Sequence, residues 1–150
     1  MALLDDIADR LAAPEAGALL YAASDQGGGT YQDEKIQMEV LLGVAPGRDF
    51  SADTSLALTD IGSILIHPSA DTTGRTVTIP ANASVAFPVR TCITIVNQNA
   101  AGALTIAITS DTMRLAGAGT TGSRTLAANG VATAIKVTST EWIISGTGLT

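Results

Sequence analysis

The sequence predicts a mainly β protein: an antiparallel β-sandwich or barrel-like domain, preceded by a short N-terminal helix and a β-hairpin. From Phe50 onward, short runs of alternating apolar and polar residues are separated by Gly, Asn, Asp and Pro turns at intervals of roughly 10 to 15 residues. Hydrophobic residues make up 46% of the 150-residue chain, whereas aromatic residues make up only 3%. We therefore expect one main domain with an aliphatic core between closely packed strands.

The first residues of the chain predict a short amphipathic helix that ends near Pro14. Its apolar stripe consists of Leu3, Leu4, Ile7 and Leu11. A helix of about ten residues is marginal alone, so this stripe is expected to dock on its own domain, on a sister subunit or on a partner. We favour docking outside its own domain.

Residues 17–43 predict a β-hairpin followed by a short apolar turn of helix. Strands around 19–21 and 35–36 are expected to pair across three consecutive glycines, 27–29, which allow the chain to reverse. Residues 44–49 contain Pro46 and Gly47 and are typical of a linker. The predicted organisation is an N-terminal anchoring segment over 1–45 and an antiparallel β domain over 50–150.

Alternation within the β domain predicts its strands and the side chains that face the core. The expected strands cover residues 55–59, 63–67, 75–79, 91–97, 103–109, 112–116, 131–137 and 141–145. In the run 103–109, Leu104, Ile106 and Ile108 are expected to point inward, while Ala107 points outward beside threonines. These outward Thr and Ala positions are apolar enough to meet another protein surface.

The charge of the chain argues against nucleic-acid and membrane partners. The net charge is −6 and the eight basic residues are scattered, whereas phosphate binding requires clustered Lys and Arg. An acidic surface is repelled by anionic lipids, and no apolar run approaches the roughly 18 to 20 residues that span a bilayer. The acidic N-terminus does not resemble a secretory signal, so we expect folding in the cytoplasm. The single Cys92 is expected to fill core space as a small apolar side chain.

Residues 114–126, RLAGAGTTGSRTL, contain the G-x-G-x-x-G spacing of a dinucleotide-binding loop. That spacing binds a pyrophosphate only where a strand leads into it and a helix begins within it. The residues after Gly122 return to an alternating β pattern. The sequence therefore favours a β-turn loop in which the glycines adopt positive φ, and it predicts no cofactor.

Residues that could carry catalysis are not concentrated anywhere in the sequence. His67 is the only histidine, so one chain offers no multi-histidine metal site, and any Ser-His-Asp triad would have to include it. The His67 ring is expected to hydrogen-bond a nearby turn. The alternative is that it binds an ion together with the same ring of symmetry-related copies. The carboxylates lie in turns, where they cap their own backbone, and Trp142 is more typical of a core anchor than of a sugar-stacking platform. The sequence predicts a structural or binding protein with no catalytic residues and no metal ion.

Two stretches of the chain resemble surface proteins of tailed-bacteriophage virions. A β domain that recurs in tail fibres and in capsid-surface fibres or spikes is similar to TVTIPANASVAFPV, to the hairpin ITIVNQNAAGALTI and to the ending Glu141-Trp142-x-x-x-Gly146. The upstream LLYAASDQGGGTYQDEKIQMEVLL resembles a segment that precedes such domains. The resemblance extends over residues 19–42, 55–108 and 138–150, about three-fifths of the chain. Arg90 departs from the pattern, because it stands after FPV where a turn glycine is expected.

The resemblance implies a homotrimeric protein of the virion, assembled in the host cytoplasm. Its implied partners are copies of itself and the major capsid protein or another virion protein. The residues expected to form the trimer or define the fold are Pro80, Phe87, Ala107 and Trp142. A possible distal loop contains Gly119, Thr120 and Arg124.

Two functions are consistent with this resemblance. The first is a capsid decoration protein of the cement or head-fibre type, in which residues 1–45 grip the shell or a neighbouring subunit. The second is a tail-fibre tip or adhesin that binds a host-surface receptor through the loops GAGTTGSRT and QNAAG. An enzyme acting on envelope polysaccharide is a third reading and would have to release sugar under the control of one carboxylate. We favour the decoration protein, because the chain is too short for a fibre shaft, and we expect Ala107→Arg to dissociate a trimer.

Overall fold

The computed structural model describes residues 44–98 and 100–150. The predicted helix and hairpin, with Leu3, Leu4, Ile7 and Leu11, lie outside the described residues. Within these ranges the protein is mainly β, as predicted, and its one helical element is the 3₁₀ turn Leu58–Asp60.

Nine strands in the described ranges form one continuous sheet. They are β1 Gly47–Asp49, β2 Thr54–Ser55, β3 Ile64–His67, β4 Arg75–Ile79, β5 Cys92–Asn97, β6 Leu104–Ile108, β7 Thr112–Leu115, β8 Arg124–Lys136 and β9 Glu141–Leu149. Their order is β1-β3-β5-β8-β6-β4-β2. β9 lies along the other side of β8, and β7 pairs with β9.

The chain builds this sheet by alternating between two halves. The odd-numbered strands β1, β3 and β5 pair in parallel on one half, and the even-numbered strands β2, β4 and β6 pair in parallel on the other. Each turn of the chain therefore adds one strand to each half, and the opposite half serves as the crossover that parallel strands require. β8 ends this winding, because residues 131–135 run antiparallel to β5 and residues 124–126 run antiparallel to β6.

A bend in β8 curls the two halves toward each other like half a barrel. The register between β8 and β9 shifts between Leu126 and Val131, and within this bulge Asn129 has a φ of 61°. Asparagine is one of the few residues that adopt this left-handed conformation readily, and glycine follows it at 130. The inward side chains of both halves consequently meet in one core.

The core is aliphatic, as the composition predicts. Its fully buried aliphatic and Met side chains include Leu65, Val77, Ile79, Ile93, Ile95, Leu104, Ile106, Met113, Leu126 and Ile144. Each contributes about 1.5–3 kcal/mol through the apolar surface it removes from water. The facing predicted for β6 is confirmed: Leu104 and Ile106 are fully buried, Ile108 is half-buried and packs on the core, and Thr105 is exposed.

The strand directions correct the prediction of an antiparallel sandwich. Among the strand pairs of the described residues, β8 pairs antiparallel with β5, β6 and β9, whereas the other five pairings are parallel. Alternation has the same two-residue period in both directions, so it does not distinguish them. Short turn-rich connections favour hairpins, but here they lead to the opposite half of the sheet.

Two local predictions in the first turn of the chain were also wrong. The predicted linker over 44–49 contains β1, which pairs with β3, and Pro46 O accepts a hydrogen bond of 2.8 Å from Ile64 N–H. The expected strand at 55–59 is limited to Thr54–Ser55, because the 3₁₀ turn follows. Asp60 closes that turn, accepting a hydrogen bond of 2.9 Å from Ala57 N–H.

Candidate interaction surface

One polar cluster lies inside the fold, around His67 at the end of β3. The ring is fully buried, stacks on Phe50 with centroids 5.5 Å apart, and places Nδ1 at 2.9 Å from Asn97 Oδ1. The Asn97 amide nitrogen donates to the carbonyls of Gly102 and Leu126, which leaves its oxygen to accept from the Nδ1–H group. Asn97 thereby ties together β3, the connection after β5, and β8.

The Asp71 carboxylate lies on the other side of the His67 ring. Its Oδ2 is 3.2 Å from Nε2. Asp71 accepts hydrogen bonds from Arg75 Nε at 2.7 Å and from Thr73 N–H at 3.1 Å. The bond from Arg75 chiefly holds the pKa of Asp71 below its usual range, against the opposing effect of burial, and Thr73 and His67 lower it further.

This placement bears on the two roles considered for His67. The ring is bonded to Asn97 inside its own subunit and has no exposed edge, which disfavours an ion shared with symmetry-related copies. Among the described residues, no three His, Cys, Asp or Glu side chains lie close enough together to hold a metal ion. The cluster joins successive windings of the chain, because His67 ends β3, Asp71 lies between β3 and β4, and Asn97 ends β5.

A second polar group is buried where β8 meets β9. Lys136 is 1% exposed, and its Nζ donates to Asn82 Oδ1 at 2.7 Å and lies 5.5 Å from the centroid of the Trp142 ring. Trp142 is fully buried and meets Phe87 edge to face, with centroids 5.5 Å apart. The amide oxygen and the ring face stabilise an ammonium group that has lost most of its water. Because Trp142 is enclosed, its ring is not available to stack on a sugar.

The residues expected to form the trimer or define the fold divide between the inside and the outside of the subunit. Pro80, Phe87 and Trp142 are buried within it, so they are not available to contact a second copy directly. Ala107 is half-buried on the outer side of β6, opposite Thr78 of β4.

The glycine-rich loop between β7 and β8 has the conformation expected of a turn. Gly117, Gly119 and Gly122 have φ values of 79°, 72° and 120°, which residues with a Cβ rarely adopt. A strand, β8, follows the loop where a dinucleotide site would require a helix.

Two arginines hold this loop in shape. Arg124 Nη2 donates to both the carbonyl and the Oγ1 of Thr120, so the structure brings these two predicted loop residues together. Arg114 Nη1 donates to Gly119 O at 3.0 Å, and Arg114 Nε binds Glu141 Oε1 at 2.8 Å. The loop is therefore internally braced, with Gly119 and Thr120 at its exposed tip.

The second predicted distal loop, 98–102, is more enclosed than expected over its described part. Ala101 is buried, and Gly102 N–H donates to Asp71 O at 3.1 Å. A Cβ at position 102 would lie 2.3 Å from the Thr73 carbonyl. Only glycine allows these two turns of the chain to approach so closely.

The outer side of the even-numbered half is covered by hydroxyl groups and small side chains. We define the threonine face as Thr76, Thr78, Thr105, Ala107 and Thr125, the outward residues of β4, β6 and the start of β8. Thr76, Thr105 and Thr125 lie side by side in register on the three strands. This face presents hydroxyl groups to solvent.

The outer side of the odd-numbered half is apolar instead. We define the apolar face as the outward residues of β3, β5, β9 and the second part of β8: Ile64, Ile66, Cys92, Thr94, Val96, Val131, Thr133, Ile135 and Ile143. Register places Ile66, Val96 and Val131 in one row across three strands. A second row contains Cys92, Ile135 and Ile143.

Between these two rows lie Thr94 and Thr133, directly opposite each other on β5 and β8. Their Oγ1 atoms are 3.2 Å apart and hydrogen-bonded, so each hydroxyl has a partner within the face. Among the residues that the structure describes, charged side chains stand only at the borders of the apolar face: Asp49 on β1, and the ion pair of Arg114 and Glu141 on the opposite side. The centre carries no charge.

Sequence reasoning missed this face, and Cys92 shows why. The thiol was expected in the core, but it is exposed, because Cys92 shares its side of β5 with Thr94 and Val96 while Ile93 and Ile95 point inward. The sequence does contain a signal for this: Cys92 is one position from Ile93 and three from Ile95, so in a strand it lies on the side opposite to both isoleucines. The prediction for Cys92 was therefore wrong.

The charge of the chain is distributed unevenly between its two segments. Residues 44–150 contain six basic and six acidic residues, so the β region is formally neutral. The whole net charge of −6 belongs to residues 1–43.

The chain matches no protein-family model, no curated protein and no solved structure. No helix in the described ranges is long and apolar enough to cross a membrane. What the described residues establish is a mainly β protein whose sheet is curled like half a barrel and exposes an apolar outer face.

Proposed function

We propose that this protein is a non-enzymatic structural component of a tailed-phage virion, a homotrimeric capsid decoration protein of the cement or head-fibre type. The observation that carries this proposal is the apolar face, two rows of mainly Ile and Val side chains on the outside of the sheet with a hydrogen-bonded Thr pair between them. Contiguous exposed apolar patches mark surfaces that contact other proteins. A chain that decorates a shell acts through such contacts.

The polar clusters support the same proposal. His67, Asp71 and Asn97 are engaged in joining turns of the chain, and Lys136 is engaged with Asn82 and Trp142. These groups contact one another within the subunit, so their contribution is to the stability of the body.

The resemblance of the sequence to virion surface proteins supplies the location. In this proposal residues 1–45, with Leu3, Leu4, Ile7 and Leu11, anchor the protein, and the β domain projects outward. Deleting residues 1–13 is expected to abolish capsid binding and leave the β domain folded. Unchanged capsid binding would contradict the anchoring role.

A tail-fibre tip or adhesin is the second candidate, and the braced loop favours it. Arg114 and Arg124 hold Gly119 and Thr120 in a fixed exposed conformation, which suits a recognition loop. If this candidate is right, purified protein binds host cells, and Arg124→Ala reduces that binding.

Virion fractionation tests both candidates. Purified virions are separated into emptied heads and detached tails, and the chain is quantified in each by mass spectrometry. The decoration protein predicts the chain in heads, at copy numbers near those of the capsid lattice points. Finding it only in tails, in a few copies, would replace this proposal with the second candidate, and finding it in neither would overturn both.

A further inference from the structure

We infer that the apolar face is the surface through which copies of this chain contact one another. The inference rests on the proposed function, which requires a homo-oligomer, and it goes further by naming the contact surface. It also places the contact on one half of the sheet, whereas Ala107, the contact residue predicted from the alternation of residues 103–109, lies on the other half.

The first argument is the exposure of the face in a single subunit. Val131 is 42% exposed and Ile135 is 41% exposed, although both are β-branched residues of β8 that pair with β5 on one side and with β9 on the other. Val137, which follows β8 with the same parity, is 36% exposed. Leaving such side chains in water forfeits their burial, so a stable assembly is expected to cover them.

The second argument is the size of the face. It spans four strands about 4.8 Å apart and about six residue steps of roughly 3.3 Å, which gives an area of about 400 Å². A typical stable interface covers about 800 Å² on each partner, with an apolar centre and a polar rim. The apolar face therefore has the dimensions of an interface centre, and Asp49, Ser145 and Thr147 on its borders supply part of a polar rim.

The third argument is electrostatic, and it selects a second copy as the occupant. The β region is neutral and the centre of the face is uncharged, so identical faces approach without repulsion. The hydroxyls of Thr94 and Thr133 bond each other, so covering the face leaves neither without a partner. The face thus offers a copy an uncharged surface that requires no complementary charge.

Cys92 provides a readout that needs no mutation. It is the only cysteine of the chain and lies exposed on the apolar face of an isolated subunit. In the full-length oligomer we expect its reaction with a maleimide to be at least about 10-fold slower than in the chain unfolded in urea. An equal rate would mean that the face is open in solution and would overturn the inference.

A charge on each face then identifies which half of the sheet forms the contact. Val131→Arg lies in the apolar face two rows away from Cys92, and Ala107→Arg in the threonine face is its matched control. Light scattering on the full-length chain is expected to give three times the 15.1 kDa chain mass for wild type and Ala107→Arg. Val131→Arg is expected to give the mass of one chain, with wild-type circular dichroism and a rapidly reacting thiol.

Other outcomes would overturn the inference in distinct ways. Dissociation by Ala107→Arg but not by Val131→Arg would assign the contact to the threonine face. A monomeric wild type with a protected thiol would mean that residues of the same chain cover the apolar face. If Val131→Arg fails to fold, thiol reactivity of wild type on serial dilution decides: reactivity that rises as the oligomer dissociates supports the inference, and constant reactivity overturns it.

These results are independent of virion fractionation. An open apolar face on a protein found in heads would overturn this inference alone. A protected face on a protein absent from virions would overturn only the proposed function.

Discussion

The two outer faces of the sheet are built on the same kind of strand but differ in the side chains that they present. The odd-numbered half presents Ile and Val, whereas the even-numbered half presents mainly Thr. All three residues are β-branched and suit a strand equally well. Strand formation therefore does not explain the difference. The inference drawn above attributes it to what covers each face, water on the threonine face and a second copy on the apolar face.

The largest expected effect removes the core that both faces share. Trp142→Ala leaves a cavity beside Phe87 and withdraws the ring that faces the Lys136 ammonium, so we expect a loss of about 3–5 kcal/mol in the free energy of unfolding. Urea denaturation followed by circular dichroism measures it. In Trp142→Ala, the oligomer should dissociate over the same range of urea concentration in which the subunit unfolds. Val131→Arg, by contrast, should dissociate the oligomer without unfolding the subunit. Trp142→Phe is the control and should cost less, and a loss below about 1 kcal/mol for Trp142→Ala would contradict the packing described.

A smaller loss is expected where the chain crosses from the apolar half to the even-numbered half. Gly102→Ala places a Cβ 2.3 Å from the Thr73 carbonyl, so the two turns must separate, at about 1–3 kcal/mol. Gly74→Ala is the matched control, because its Cβ would lie 3.2 Å from Ala103 O, a distance that needs only a small adjustment. Thermal unfolding of both variants makes the comparison, and equal melting temperatures would contradict the close approach of these turns.

Acid is expected to loosen the connections between the halves before it affects either face. For Asp60, burial raises the pKa, but hydrogen bonds from Arg48 and Ala57 and the charge of Arg48 outweigh it and lower the pKa overall. The pKa of Asp71 is lowered chiefly by Arg75. Both carboxylates therefore contribute stability that is complete above their unfolded-state pKa of about 4 and is lost as the pH falls below it.

Asp71→Asn and Asp60→Asn test this dependence. Each variant is expected to be less stable than wild type at neutral pH and to lose less stability between about pH 4 and pH 2. The double variant should give the flattest profile in urea titrations at a series of pH values. A wild-type slope in the double variant would show that these carboxylates do not govern the acid response.

The smallest effect on the fold is expected from making the threonine face resemble the apolar face. Thr76→Val combined with Thr105→Val changes two register partners on β4 and β6 and should alter the free energy of unfolding by less than about 0.5 kcal/mol. Self-association at high concentration should nevertheless increase, as sedimentation velocity would measure. Thr76→Ser with Thr105→Ser is the polar control. Equal self-association of the two double variants would contradict the idea that apolar residues on an outer face promote contact between copies.

The sequence was sufficient to locate most strands and the inward residues of β6. In the runs RTVTI and LTIAI, the large aliphatic residues alternate with Thr or Ala, so their buried positions follow from parity. In SILIH, by contrast, Ile64, Leu65 and Ile66 are all apolar, and nothing in the run indicates which side faces the core. The apolar face was hidden in such runs.

The first part of β8 was missed for a different physical reason. Asn129 and Gly130 are typical turn residues, and they do adopt turn-like geometry, but as a bulge within a 13-residue strand. Arg90 illustrates the reverse case: its φ of 79° keeps the conformation of the turn glycine expected there, at a steric cost of about 1–2 kcal/mol. At both positions the sequence pattern predicts a residue with positive φ, and the structure has one. Whether that residue lies in a turn or in a bulge within a strand depends on pairing with distant strands.

The antiparallel direction of β8 also gives the body a fixed end. Because β8 covers the last parallel strand of both halves at once, a further turn of winding has no place beyond β5 and β6. Additional turns fit only earlier in the chain, where each would add one strand to each half. A longer relative of this protein would therefore grow in steps of about 4.8 Å per turn while keeping the same closing strand, so the number of turns sets the width of each half of the sheet.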